Sequence, residues 1–205
     1  LDSILKAEFF PKEETAKKFK LDLSKPVLLV LQHPETAEIK NSSKNMEKTM
    51  QAVKDLKLQT VVIYPNADPG SLEIINVIEK YRKFPFIKIY KNIAHKDFLS
   101  LMKVACAMVG NSSSGIIETP SLKLAVVNIG SRQEGRERAA NIIDAGYNKE
   151  EIEKAIKKAV FDKSFRTKIK NLRNPFGDGK AGERIAKTLA EIEINAKLLN
   201  KKIAY

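Results

Sequence analysis

Residues 107–118 read AMVGNSSSGIIE, and the pattern of this stretch indicates one class of fold. A short apolar run ends at Gly110, a loop of small polar residues follows, and an apolar segment then resumes as the start of a helix. A continuous apolar strand that passes through such a loop into a helix is typical of a parallel sheet covered on both faces. We therefore predict an α/β fold with helices on both faces of a parallel sheet.

The sequence on either side of this stretch repeats the same alternation. Four more apolar runs predict strands over residues 27–31, 60–64, 86–90 and 125–129. Helical spacing predicts helices over 41–57, 71–83, 96–106, 149–160, 163–172 and 181–199. Ligands of such sheets bind beyond the carboxyl ends of the strands, so the loops of interest are 32–40, 65–71, 91–96, 110–116 and 130–141.

Composition excludes several classes of function. The 205 residues carry a formal charge of +12, but the lysines are spread over predicted helix faces without interleaved aromatic side chains, which argues against nucleic acid. No apolar segment is long enough for a membrane span, and no signal peptide opens the chain. A single cysteine, Cys106, lies in an apolar run and is predicted to be a packing residue in a cytoplasmic protein. No zinc or calcium spacing is present, so we predict no metal.

The serine loop, residues 110–115, has the composition of a phosphate-binding loop. Small residues let the backbone approach a ligand, and hydroxyl and N–H groups can donate to phosphate oxygens. The alternative is a serine-rich cap on an ordinary helix. Glu118 follows in the predicted helix start, where a carboxylate can accept hydrogen bonds from a ribose diol or merely complement the helix dipole.

Further candidate groups follow other predicted strands. Arg132 and Arg136 leave the loop after residue 129, where guanidinium groups could bind phosphate or form a solvated charge cluster. His33 follows the first strand and could act as an acid or a base, although a lone histidine is often a bystander. Asn66 follows the second strand in a turn, and Phe98 could stack on a base or pack in the core.

Together these stretches resemble the hydrolysing UDP-N-acetylglucosamine 2-epimerases and their relatives that act on UDP-diacetylbacillosamine. The segments that carry the resemblance are LQHPET, YPNADPGS, DFLSLMKVACAMVGNSSSGIIETPS, VNIGSRQEGRERAANII and NPFGDGKAGERI, which together extend from about residue 28 to residue 187. The resemblance implies the C-terminal, Rossmann-like half of a glycosyltransferase-B type two-domain fold. It also implies amino-sugar metabolism that supplies sialic-acid-type sugars.

The resemblance also implies roles for individual residues. Ser112 and Ser113 would bind the diphosphate, Glu118 the ribose hydroxyls, and Arg132 the phosphate side of the ligand. Phe98 would pack against uracil, with backbone contacts near Ile93. His33 and Asn66 would face the reacting sugar, with His33 as the catalytic group. UDP would leave across C1–C2, hydration would give UDP and a 2-acetamido mannose-type sugar, and no cofactor is implied.

The family's catalytic carboxylates lie in an N-terminal domain that does not precede Leu1 in this sequence. We therefore expect a UDP-binding half with little or no turnover, partnered by that domain in cis or as a separate chain, and homo-oligomeric. The expected organisation is a hinge segment over 1–25, a UDP-binding domain over 26–180 and a C-terminal helix over 181–205 that crosses back to the missing domain. The alternatives are a glycosyltransferase domain, a non-hydrolysing epimerase or a stand-alone UDP-sugar-binding subunit.

Overall fold

The computed structural model describes residues 1–200 and contains a six-stranded parallel sheet. The strand order is β3-β2-β1-β4-β5-β6, and all five neighbouring pairs run parallel. The strands are β1 (Val27–Leu31), β2 (Gln59–Ile63), β3 (Ile87–Tyr90), β4 (Ala107–Gly110), β5 (Ala125–Ile129) and β6 (Ile142–Ala145). The predicted α/β class is thereby confirmed.

Eleven α-helices connect or flank these strands within residues 1–200. They are α1 (Asp2–Leu5), α2 (Lys12–Phe19), α3 (Ser42–Leu56), α4 (Ser71–Lys80), α5 (His95–Val104), α6 (Ser114–Ile117), α7 (Thr119–Leu122), α8 (Lys149–Phe161), α9 (Lys163–Lys170), α10 (Ala181–Glu191) and α11 (Ala196–Leu199). A 3-10 turn over Thr36–Asn41 precedes α3. Asn148 and Asp162 cap α8 and α9 by accepting backbone N–H groups three residues later.

The core has two layers because alternate strand residues face opposite sides of the sheet. On β1, Leu28 and Val30 join a cluster with buried residues of α3, α4 and α8, whereas Leu29 packs on the other face with Phe19 of α2 and Leu99 of α5. Both faces of β1 are therefore buried, which explains its continuous apolar sequence.

The chain order reverses between β1 and β4, because β2 and β3 lie on one side of β1 and β4, β5 and β6 on the other. Parallel sheets bind ligands at such a reversal, beyond the carboxyl ends of the strands. Gly110 ends β4 at this point with φ at +131°, and a Cβ there would lie 2.1 Å from the carbonyl oxygen of Leu31. Only glycine lets the two strands leave the sheet this close together.

Two predicted elements differ from the structure. The sixth strand, β6, was not predicted, because its sequence IIDA is short and places Asp144 on the sheet edge. The final helix was predicted to run unbroken over 181–199, but α10 ends at Glu191 and α11 begins at Ala196. Ile192 is extended, and Asn195 accepts the N–H of Leu198 as the cap of a new helix. The β-branched residues and Asn195 favour that interruption where no packing opposes it.

The N-terminal segment packs against the start of α10. The Asp2 carboxylate accepts the backbone N–H groups of Gly182 at 2.7 Å and Ala181 at 3.3 Å, and Lys6 lies 3.2 Å from Glu183. The hydrogen bond from Gly182 holds the pKa of Asp2 below its ordinary value. The first residues of the chain therefore anchor the helix that the resemblance assigns to the link between domains.

Candidate functional site

A cleft of about 380 Å³ opens at the carboxyl ends of β1, β2 and β3. Its lining brings together three of the predicted site residues, His33, Asn66 and Phe98, with Ser114 from the start of α6. Ile93 and Lys91 also line it. An imidazole, an amide, a hydroxyl, an amine and an aromatic ring thus converge on one concave surface, as small polar ligands require.

Asn111 holds the loops around this cleft together. Its side chain is 0% exposed; its Oδ1 accepts the backbone N–H of His33 at 2.7 Å, and its Nδ2 donates to the His33 carbonyl at 2.9 Å. Its own carbonyl accepts Gln133 Nε2 at 2.8 Å and an Arg132 guanidinium N–H at 3.2 Å. One buried residue therefore joins the loops that follow β1, β4 and β5.

The His33 ring contacts the loop after β2. Its Nδ1 lies 2.9 Å from Asn66 Oδ1, and Asn66 Nδ2 donates to Asp68 at 2.6 Å. Burial lowers the pKa of His33 below its ordinary value, Asn66 opposes that shift, and the nearby Arg132 adds to it. Burial and the charge of Arg132 therefore both favour the neutral imidazole.

The three serines of the serine loop lie in different environments. Ser112 is only 6% exposed, and its Oγ accepts the Ser114 N–H at 3.3 Å, so this hydroxyl stabilises the turn. Ser113 is half-buried, and its side chain makes no capping hydrogen bond to α6. Ser114, which the sequence argument passed over, is the serine that lines the cleft.

Glu118 lies at the junction of α6 and α7 rather than in the first turn of a longer helix, because Pro120 interrupts the segment. Its Oε2 is buried and has no hydrogen-bond partner among residues 1–200. Burial raises the pKa of Glu118, and the nearby His95 and Ser114 oppose that rise. A buried acceptor without a donor is costly, so this oxygen is suited to receive donors from a ligand.

Two arginines leave the loop after β5, and their environments differ. Arg132 is half-buried and bonded to the Asn111 carbonyl, which keeps its guanidinium beside the loop of His33. Arg136 is exposed. Asn111 is therefore hydrogen-bonded both to Arg132, one of the two predicted phosphate-binding cations, and to His33, the predicted catalytic group.

Glu35, in the segment QHPET, has a structural role that was not predicted. Its buried carboxylate accepts the Ser131 hydroxyl at 2.9 Å and backbone N–H at 3.2 Å, and it also accepts the Tyr147 hydroxyl. Burial and this carboxylate raise the pKa of Tyr147. Glu35 thereby locks the loop after β5 to the loop after β1, a contact that no spacing in the sequence indicates.

A larger recess of about 670 Å³ lies beyond β5 and β6, but its chemistry differs. Its lining carries the carboxylates of Glu38, Glu134, Asp144 and Glu151, and its one arginine, Arg138, is paired with Asp144. An anionic ligand would be repelled there. We therefore place the candidate site in the smaller cleft.

The described residues also bear on two predicted absences. Within residues 1–200, no group of three or more metal-ligating side chains is close enough to hold a metal ion. No helix in that range is both long and apolar enough to cross a membrane.

His95 is the first residue of α5, and half-buried Cys106 packs against the larger core cluster.

Of the predicted ligand-binding residues, His33, Asn66 and Phe98 share the cleft, whereas Ser112, Ser113, Glu118 and Arg132 lie outside its lining. The serine loop adjoins the cleft through Ser114, and Arg132 adjoins it through Asn111 and His33. The serine loop and Arg132 are therefore connected to the loop of His33, although they do not line the cleft. Their individual roles toward a ligand stay predictions.

Comparisons with known proteins agree on one family. The family described as UDP-N-acetylglucosamine 2-epimerase matches residues 1–190. A UDP-N,N'-diacetylbacillosamine 2-epimerase (hydrolyzing) from Legionella pneumophila is 34% identical over all 205 residues, which span 53% of that protein. A GDP/UDP-N,N'-diacetylbacillosamine 2-epimerase (hydrolyzing) from Campylobacter jejuni is 37% identical over 143 residues, 68% of this chain and 37% of that one.

Solved structures support the same fold. A UDP-GlcNAc 2-epimerase from Neisseria meningitidis bound to UDP-GlcNAc gives a TM-score of 0.71 at 18% identity over 88% of this chain and 49% of that one. The enzyme from Methanocaldococcus jannaschii in complex with UDP-GlcNAc and UDP gives 0.64 at 24% identity over 93% and 50%. The chain thus spans about half the length of the relatives it matches.

Proposed function

The chain belongs to the UDP-N-acetylglucosamine 2-epimerase family, and we propose that it supplies the UDP-binding half of a hydrolysing enzyme of this kind. The substrate would be UDP-N-acetylglucosamine or UDP-diacetylbacillosamine. The observation that carries the proposal is Glu118, whose buried Oε2 lacks a donor beside a loop of three serines. A ribose diol would supply that donor, as it does to acidic residues of dinucleotide-binding folds.

The remaining groups fit the other parts of a nucleotide sugar. Ser112 and Ser113 would meet the diphosphate, with Arg132 adding a positive charge on the same side. Phe98, which is half-buried and lines the cleft, would pack against uracil beside the backbone of Ile93. His33 and Asn66, which line the same cleft, would then face the sugar.

In the proposed reaction, the sugar loses the C2 proton and UDP leaves from C1, which gives a 2-acetamidoglucal. Water then adds to yield UDP and a 2-acetamido mannose-type sugar. The residues of this chain would stabilise the departing diphosphate, which is electrostatic work. His33, held mainly neutral, could accept or return a proton on the sugar side.

We further propose that turnover requires a second domain, because the relatives are about twice as long as this chain. The exposed face of α10 supports such a partner: Ile185 is 58% exposed and Leu189 68%, one turn apart on the same side of the helix. Ile192 and Ile194 extend the apolar surface. Exposed apolar patches of this kind mark interaction sites. A cytoplasmic location and a homo-oligomer stay predictions.

Calorimetric titration of the purified chain with UDP tests the proposal, with UMP and ADP as competitors. We expect selective UDP binding that Ser113→Ala, Glu118→Ala and Arg132→Ala each weaken by about 1–3 kcal/mol, or roughly 5- to 150-fold in Kd. Matched controls are Glu150→Ala on α8 and Arg173→Ala beyond α9, both exposed, which should bind like the parent. Equal affinity for ADP and UDP would contradict the proposal.

Turnover is tested separately with UDP-N-acetylglucosamine and detection of released UDP. The chain by itself should release none above the rate without protein. Steady release by a homogeneous preparation would refute the need for a second domain while leaving the UDP site intact.

A further inference from the structure

Three side chains form a line that ends at the cleft. Asp68 accepts a hydrogen bond from Asn66 Nδ2 at 2.6 Å, and Asn66 Oδ1 lies 2.9 Å from His33 Nδ1. Asp68 and Asn66 are exposed in the loop between β2 and α4, whereas His33 is half-buried beside β1. The line therefore connects a solvent-facing carboxylate to the predicted catalytic imidazole.

The chemistry of these groups fixes the direction of each hydrogen bond. An ionised carboxylate only accepts, so the NH₂ group of Asn66 must face Asp68. The amide oxygen of Asn66 must then face the imidazole. Because an oxygen there can only accept, His33 Nδ1 has to carry the hydrogen.

A competing contact points the other way. The backbone N–H of Asn66 lies 3.2 Å from His33 Nδ1, and this bond needs a bare nitrogen. Only one of the two contacts can form in a given tautomer. The side-chain contact is shorter, and Asp68 prevents the amide rotation that would turn Asn66 Nδ2 toward the ring.

We propose that Asp68 is a positioning residue, which acts through Asn66 to hold His33 in the tautomer with hydrogen on Nδ1 and a lone pair on Nε2. Within residues 1–200, Nε2 has no hydrogen-bond partner, and His33 lines the cleft. The inference deepens the proposed function, on which it rests, since it gives the sugar side of the site an acceptor.

The tautomer decides what the imidazole can do. With hydrogen on Nδ1, Nε2 can accept a hydrogen bond or a proton from the sugar. With hydrogen on Nε2, that nitrogen could only donate to the sugar. Without Asp68, the side-chain amide of Asn66 is free to rotate and can turn its NH₂ group toward the ring. The side-chain NH₂ and the backbone N–H of Asn66 then both favour an Nδ1 without hydrogen.

The charges around His33 leave Asp68 as the group that makes this choice. Arg132 and Asp68 are the charged residues that act on the ring, with opposite signs. Arg132 is tied to the Asn111 carbonyl and affects the ring through its charge, not by a hydrogen bond to it. Of these two charged residues, only Asp68 is connected to Nδ1 by hydrogen bonds.

The tautomer can be read directly in the ligand-free chain by two-bond ¹H–¹⁵N correlation with ¹⁵N-labelled histidine. The sequence holds two histidines, His33 and His95, so His95→Gln assigns both signals. At a pH where His33 is neutral, we expect mostly Nδ1–H in the parent. In Asp68→Ala, the population should invert to mostly Nε2–H, while the exposed His95 serves as the internal reference.

Two further variants separate positioning from a loss of charge or of structure. Glu73→Ala removes an exposed carboxylate from the first turn of α4, next to the same loop, and should leave His33 unchanged. Asn66→Asp combined with Asp68→Ala places a group that only accepts against Nδ1. This double variant should restore Nδ1–H, which a merely unfolded loop could not do.

Mostly Nε2–H in the parent, or Nδ1–H that persists in Asp68→Ala, would overturn the inference. Because the spectrum is recorded without ligand, its outcome is independent of the UDP titration. A failed titration with an inverted tautomer would refute the proposed function and leave the role of Asp68 standing. Selective UDP binding without inversion would do the reverse.

Discussion

Around His33, backbone and side chain are both held, whereas beside Glu118 a buried oxygen lacks a partner. Asn111 bonds both the N–H and the carbonyl of His33, and Asn66 meets its ring. Glu118 Oε2 has no donor among residues 1–200. The region around His33, the first corner of the site, is therefore held in place without a ligand. The region around Glu118, the second corner, keeps a hydrogen-bond acceptor that has no donor. The difference separates residues that build the site from residues that await a ligand.

The largest expected effect comes from breaking the first corner with Asn111→Ala. Two hydrogen bonds to His33 would be lost inside the protein, and we expect the free energy of unfolding to fall by about 2–4 kcal/mol. UDP affinity should fall as well, because the Asn111 side chain would no longer join the loop after β4 to the loop after β1. Urea unfolding followed by circular dichroism measures the first effect and calorimetry the second.

Asn128→Ala is the matched control for this change. Asn128 is equally buried, but its amide bonds Asp144 between β5 and β6, away from the cleft. It should lower stability and leave UDP affinity unaltered. If Asn111→Ala also lowers stability but leaves UDP affinity unaltered, UDP binding does not depend on the contacts of the Asn111 side chain.

The second corner should respond in the opposite sense to Glu118→Gln. Glutamine resembles the protonated carboxyl, so near neutral pH the variant should unfold with a free energy about 1 kcal/mol higher than the parent while it binds UDP more weakly. Burial raises the pKa of Glu118 above its ordinary value of 4.5. The parent therefore loses stability as pH rises from about that value through the raised pKa.

The stability difference between Glu118→Gln and the parent should consequently be near zero in acid, grow through that window and then stay constant. Thermal unfolding across the pH range measures it. A difference that is constant at every pH would mean that the charge on Glu118 costs the folded state nothing.

The smallest effect concerns His33, whose pKa is lowered in the folded chain. Since the unfolded chain then binds the proton more readily, the free energy of unfolding should fall as pH drops through 6.5 toward the lowered value. In His33→Gln this part of the pH dependence should disappear. His95→Gln, at an exposed position, should retain it. Chemical unfolding at closely spaced pH values resolves the difference.

The fold could be predicted where burial alone sets the pattern. β1, β4 and β5 are dry on both faces, and their continuous apolar runs gave their limits to the residue. β6 was missed because an edge strand needs only one buried side and its sequence includes a charge. The break after α10 was missed because helical periodicity persists there while local backbone preference does not.

The site could be predicted only in part, for a related reason. Position after a strand indicated His33, Asn66 and Phe98, and all three line the cleft. The residues that organise it, Asn111 and Glu35, act through contacts between loops far apart in the chain. Sequence spacing does not reveal such contacts. A polar loop residue that bonds another loop cannot be told, from the sequence, from one that would bond a ligand.

The apolar face of α10 has a consequence for the behaviour of the chain in solution. The formal charge of +12 keeps copies apart, but the screening length shrinks from about 10 Å at 0.1 M salt to about 3 Å at 1 M. Once repulsion is screened, the exposed Ile185 and Leu189 of neighbouring molecules can meet. We expect clear solutions in dilute buffer and clouding as salt is added.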